Sequence, residues 1–134
     1  HLLSDDEILQ SFRSAWRCLR PGGLLLISVR DYAAIPRVNP DVRPYGARQD
    51  AQGRRFLTVQ VWEWDGDCYD LRLYRTVEHP DGRCETEVLL SRYRAVTLER
   101  LVQLMAEAGF EAIERRDNVL FQPVLLGHKP TAPA

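Results

Sequence analysis

Pro21-Gly22-Gly23 followed by Leu24-Leu25-Leu26-Ile27-Ser28-Val29 constrains this chain more than any other stretch. The paired glycines close a helix, and the apolar run behind them is too short for a membrane and suits a strand buried on both faces. The run then gives way to Arg30-Asp31-Tyr32. In open α/β sheets ligands bind beyond the carboxyl ends of the parallel strands, so a site is expected there. A parallel neighbour would require a crossover unit upstream, where this sequence offers only a helix. The expectation is therefore the C-terminal half of a larger α/β domain, whose open strand edge pairs with another copy or with a swapped element if the piece stands alone.

Around that strand the chain divides readily. In residues 1–32, Ser4-Asp5-Asp6-Glu7 is a capping box, and Ile8, Phe12, Ala15, Trp16 and Leu19 share one face at helical spacing ahead of the core strand. Residues 33–55 carry Pro36, Pro40, Pro44, Gly46 and Gly53 without periodicity, and read as a lid loop. Residues 56–95 hold three strand-like runs, punctuated by Asp65-Gly66 and by Pro80-Asp81-Gly82, which predict a three-stranded antiparallel insert. In residues 96–128, Thr97 caps a second helix ending at Gly109, and two strands follow around Asp117-Asn118. Residues 129–134 read as a tail.

With 134 residues, 45% of them hydrophobic and 28% charged, the chain can bury one real core. A net charge of −1 supplies no basic footprint for nucleic acid or an anionic membrane. Cys18, Cys68 and Cys84 have neither disulfide-framework nor zinc-knuckle spacing and fit a reducing compartment, so a cytoplasmic location is expected.

Taken together, Arg20-Pro21-Gly22-Gly23 before a Leu/Ile strand and Ala108-Gly109-Phe110 at a helix end resemble the C-terminal part of class I S-adenosylmethionine-dependent methyltransferases. Within that class the chain is most similar to the glycine/sarcosine N-methyltransferase group. His1-Leu2, Arg30-Asp31-Tyr32 and the inserted strands with Tyr69, Tyr74 and Tyr93 carry the likeness. The resemblance implies a Rossmann-like α/β sheet bearing the antiparallel insert, S-adenosylmethionine as methyl donor, and a small-molecule amine or amino acid as acceptor. It implies no metal. The glycine-rich loop and ribose-binding acid that would hold the nucleoside are not in this sequence, so the fragment by itself is expected to be inactive.

Arg30 is the first candidate for substrate binding, since a guanidinium at the strand end can clamp an acceptor carboxylate by two parallel bonds. Tyr32, Tyr45, Tyr74 and Tyr93 are candidate hydroxyl or aromatic contacts to the acceptor, against the commoner fate of a packed tyrosine. By resemblance His1 approaches the cofactor. His79 and His128 read as solvated, and Arg72, Arg92 and Arg94 as a ladder paired with Glu63, Glu85 and Glu87. Trp62 and Trp64 share a strand face with Phe56, opposite Leu57, Val59 and Val61; that aromatic face suits internal packing, a substrate pocket or a partner subunit. No nucleophile triad is legible. A homo-oligomer through the open sheet edge or the insert is expected. The competing reading is a non-catalytic dimerisation or ligand-binding module of the same architecture.

Overall fold

A computed structural model describes residues 2–131, which form two compact units: residues 37–94, and residues 2–36 together with those from 95 onward.

The second unit begins with α1 (Asp5–Cys18). Its capping box is complete: the Glu7 amide donates to Ser4 Oγ, and Glu7 Oε2 accepts from the Ser4 amide at 3.0 Å and the Leu3 amide at 2.7 Å. The Leu3 amide, then the Ser4 hydroxyl and amide, hold the Glu7 carboxyl below its ordinary value of 4.5. A lowered folded-state value means the cap is intact above about pH 4.5 and is lost as the pH falls through that lowered value. Helical signal from α1 is therefore expected to fray in acid, and Glu7→Ala to remove this step from a circular dichroism titration. At the other end Lys129 Nζ caps α1, donating to the carbonyls of Trp16 and Leu19 at 2.9 and 2.8 Å while lying 3.9 Å from the Trp16 ring.

The helix ends at Cys18 with Leu19 already extended, so the turn through left-handed Gly22 launches the strand rather than closing the helix. β1 (Leu24–Ser28) pairs antiparallel with β7 (Val124–His128), and β7 pairs with β6 (Glu111–Arg116), giving the order β1-β7-β6. Only one face of β1 is covered. Leu25 and Ile27 pack against the core, whereas Leu24 and Leu26 are 46% and 53% exposed, and the outer edge of β1 has no partner among the described residues. The expectation of a strand buried on both faces is thus corrected for this chain: the apolar run is continuous, but only one of its sides has a covering layer. β7 likewise starts at Val124 rather than Val119, behind Pro123, which has no amide to donate.

α2 (Leu98–Glu107) is capped by Thr97, whose hydroxyl accepts from the Arg100 amide. Leu98, Leu101, Leu104 and Met105 of α2 meet Ile8 and Phe12 of α1, with Phe110 and Leu125, in one core. Gly109 adopts a left-handed φ of 99°, and a Cβ there would lie 3.2 Å from Trp16 Nε1, which donates to the Gly109 carbonyl. This geometry explains Ala-Gly-Phe: a last helical turn, a residue free to reverse, and a buried ring.

In the other unit the sheet has four strands, not three: β2 (Asp41–Gln49), β3 (Arg55–Asp65), β4 (Cys68–Glu78) and β5 (Cys84–Arg94), paired antiparallel in chain order. Residues 41–49 of the expected lid loop are therefore strand β2. Pro44 is tolerated because β2 is an edge, and Gly46, at φ 83°, sits in the register shift between Pro44 and Ala47. The β2–β3 turn is fastened by Asp50. Burial pulls its carboxyl up, but the Arg54 amide and guanidinium outweigh that and leave it low.

Candidate functional site

Alternation gives the four-stranded sheet two unlike faces. One carries Phe56, Thr58, Gln60, Trp62 and Trp64 of β3, opposite Val77, Arg75, Leu73, Leu71 and Tyr69 of β4. Trp62 stacks on Tyr69 with centroids 4.4 Å apart, and Tyr69 stacks on Tyr93 of β5 at 5.3 Å. Trp64 leans on Tyr69 at 4.8 Å and meets Trp62 edge-on at 6.1 Å. Trp62 and Tyr69 are fully buried.

Polar groups are fixed to this aromatic face. Arg43 of β2 lies 3.9 Å over Trp62, and its Nε and Nη2 both donate to Asp41 Oδ2, at 2.9 and 2.7 Å. The Gln60 carbonyl oxygen accepts from Trp62 Nε1 at 2.9 Å and from the Tyr45 hydroxyl at 3.3 Å. Arg37 covers Trp64 at 4.9 Å and donates to the Gly66 carbonyl and to Asp67. Asn39 exchanges two hydrogen bonds with the Trp64 backbone. The Trp64 indole N–H is shielded from solvent and meets no acceptor among the described residues. An unmet buried donor costs about 1–3 kcal/mol. Beside this cluster a shallow trough of about 430 Å³ is lined by Tyr45, Arg48, Phe56, Thr58 and Gln60. Such a surface sets aromatic rings beside hydroxyl, amide and guanidinium groups and suits a small polar molecule.

In the other unit the chain leaves β1 through Arg30-Asp31-Tyr32. Arg30 lies 6.0 Å from the Tyr32 ring centroid. Asp31 caps the short 3₁₀ turn Tyr32–Ala34 through the Ala33 amide, and its second oxygen accepts from Arg115 at 2.9 Å. Asp117 first, then Asp31, raise the Arg115 pKa, so that guanidinium is bound to two carboxylates.

The expected site residues therefore fall in three places. Arg30 and Tyr32 stand together at the end of β1. Tyr45 and Tyr93 are on the aromatic face of the sheet. Tyr74 is on the opposite face, since it pairs with Val59 and Val88 rather than with the aromatic column. His1 lies outside the described residues. His128 is exposed as expected; His79 is not solvated as expected, its Nε2 being shielded and 3.5 Å from Glu85. The arginine ladder is rearranged: Arg72 does pair with Glu63, but Arg92 pairs with Asp65 and Asp70. Arg43, Gln60 and Asp41 went unread because their partners lie across strands, and because β2 was hidden by its proline and glycines.

No family model and no curated protein matches this sequence. Solved structures do. CalS10, an amino pentose methyltransferase from Micromonospora echinaspora solved with SAM bound, superposes with a TM-score of 0.80 at 16% identity, over 96% of this chain and 52% of its own. DesVI from Streptomyces venezuelae gives 0.79 at 14%, over 96% and 52%. The sugar N-methyltransferase KedS8 from Streptoalloteichus sp. gives 0.75 at 15%, over 95% and 50%. The chain shares its fold with about half of each of these proteins. This chain spans only about half the length of the proteins it matches. The narrower likeness to the glycine/sarcosine group rests on the sequence motifs alone.

Among the described residues nothing makes a nucleoside cradle. All strand pairings are antiparallel, and Gly22, Gly46, Gly53, Gly66, Gly82 and Gly109 serve turns, a bulge or a helix end.

Proposed function

We propose that this chain forms the acceptor-side half of a methyltransferase that moves the methyl of S-adenosylmethionine to the amine nitrogen of a small molecule. The observation that carries the proposal is the superposition of nearly the whole chain on CalS10 and KedS8, described as an amino pentose methyltransferase and a sugar N-methyltransferase. The aromatic face of the four-stranded sheet adds chemical support. When bound elsewhere in the whole protein, the cofactor supplies a sulfonium methyl. The residues of this chain position a neutral amine in line with that methyl and keep water away, which is most of what such a displacement demands.

Two acceptor classes divide the candidate residues. An amino sugar would use the hydroxyl and amide groups around Gln60 and Tyr45. An amino acid would use the Arg30 fork on its carboxylate. The solved neighbours favour the sugar. The expected result for the whole protein is radiolabel transfer from methyl-labelled S-adenosylmethionine to an amino-sugar panel in preference to amino acids. Arg30→Lys is then expected to raise KM about ten-fold for any carboxylated acceptor, with little change in kcat, because the bidentate fork is lost. An unchanged KM removes Arg30 from the site. If the whole protein transfers no label and takes up no S-adenosylhomocysteine, the non-catalytic module is the correct reading.

A further inference from the structure

Aromatic rings around an amine site ordinarily suggest a cage for a cation. The aromatic face of the four-stranded sheet is built the other way, because its rings are already covered. Arg43 lies 3.9 Å over Trp62, Arg37 4.9 Å over Trp64 and Arg54 5.5 Å over Phe56. Tyr69 is stacked between the Trp62 and Tyr93 rings. Each covering guanidinium has its own carboxylate: Asp41 for Arg43, Asp67 for Arg37 and Asp50 for Arg54. Arg75 of β4, on the same face, is paired with Glu87 of β5. Arg48 is different. It is exposed, lines the trough beside Phe56 and makes no ion pair among the described residues, and no carboxylate lines the trough with it. Tyr45 keeps an open ring, but shares the trough with Arg48.

We infer that this face excludes cations, so that an acceptor amine binds there unprotonated, and that Arg48 is the residue enforcing the choice. The argument is one of charge. A like charge nearby disfavours the protonated form of an amine, and here the paired arginines cancel while Arg48 leaves the trough one positive charge in excess. No histidine or cysteine, the side chains that titrate near neutrality, stands among these groups. The consequence is chemical: only the unprotonated nitrogen has the lone pair that attacks a sulfonium methyl, so a trough that accepted the ammonium would fill with unreactive acceptor. This inference rests on the proposed placement of an amine acceptor on the aromatic face.

Calorimetric titration of the whole protein with glucosamine, and with glucose as the amine-free control, tests it from about pH 6 to about pH 9. Wild-type affinity for glucosamine is expected to rise with pH in step with the unprotonated fraction of the free amine, and affinity for glucose to stay level. Arg48→Gln is expected to bind glucosamine about five-fold more tightly at the acid end, by taking up the ammonium, and no differently at the alkaline end. Arg48→Lys keeps the charge without the fork and should restore the wild-type profile, which a merely structural role for Arg48 would not predict. In turnover, kcat and KM of Arg48→Gln should fall together at the acid end while kcat/KM holds. A wild-type affinity that is level or rises toward acid overturns the inference, as does an Arg48→Gln profile like the wild type or no binding of glucosamine at any pH. Methyl transfer with a level binding profile would overturn this inference alone; the pH-dependent profile without methyl transfer would overturn the proposed reaction and leave the cation exclusion standing.

Discussion

Trp62→Ala is expected to cost about 3–5 kcal/mol, the range for removing a fully buried large aromatic. The ring is fully buried, stacked on Tyr69 and covered by the Arg43 guanidinium, so the loss combines transfer free energy, a cavity that two strands cannot close, and the stacking. Arg43 would keep Asp41 but lose its seat, and Gln60 would lose one of the two donors that fix its carbonyl. The check is denaturant unfolding, with Val119→Ala as the comparison; Val119 is exposed at a turn, and its substitution should stay within about 0.5 kcal/mol. A Trp62→Ala cost below about 1 kcal/mol would mean the aromatic column is not packed as described.

The second large effect is expected at Gly127, in the middle of the best-buried strand. A Cβ there would stand 2.7 Å from Met105 Cε and 3.2 Å from Phe110 Cβ. The Met105 methyl is the end of a flexible chain, but Met105 is wholly enclosed and the Phe110 Cβ is fixed to the backbone. Gly127→Val should therefore destabilise by about 3 kcal/mol, the upper part of the range for overpacking a core. Met105→Ala in the same background should recover part of that loss, giving a non-zero coupling in a double-mutant cycle. Strict additivity would place the two residues out of contact.

The features legible in the sequence were those specified locally. Ser4 and Glu7 announce a helix start because both halves of the capping box are close in sequence, and Thr97 and Gly109 bracket α2 for the same reason. Asp65-Gly66 and Pro80-Asp81-Gly82 mark β-turns whatever surrounds them, so β3, β4 and β5 were readable to within a residue or two. β2 was not, because Pro44 and Gly46 remove the alternation that marks a strand, and its existence depends on β3 lying alongside. The side of the sheet taken by Tyr74 or Tyr93 depends on register across the hairpin, which turn chemistry sets but composition does not show. The run Leu24–Ser28 looked doubly buried because every residue but the last is apolar. Its exposed side, Leu24 and Leu26, shows that such a run reports what a strand can bury, not what covers it. The Arg43–Trp62 contact is likewise an encounter between strands, with no signature in either one alone.

The acceptor assignment stands or falls on product analysis with the whole protein, wild type against Gln60→Leu, across amino sugars and amino acids. Placement of the acceptor on the aromatic face predicts methylation at nitrogen, a KM about ten-fold higher for the variant, and unaltered S-adenosylhomocysteine affinity. Methylation at oxygen or carbon, or a variant with wild-type KM, would contradict it.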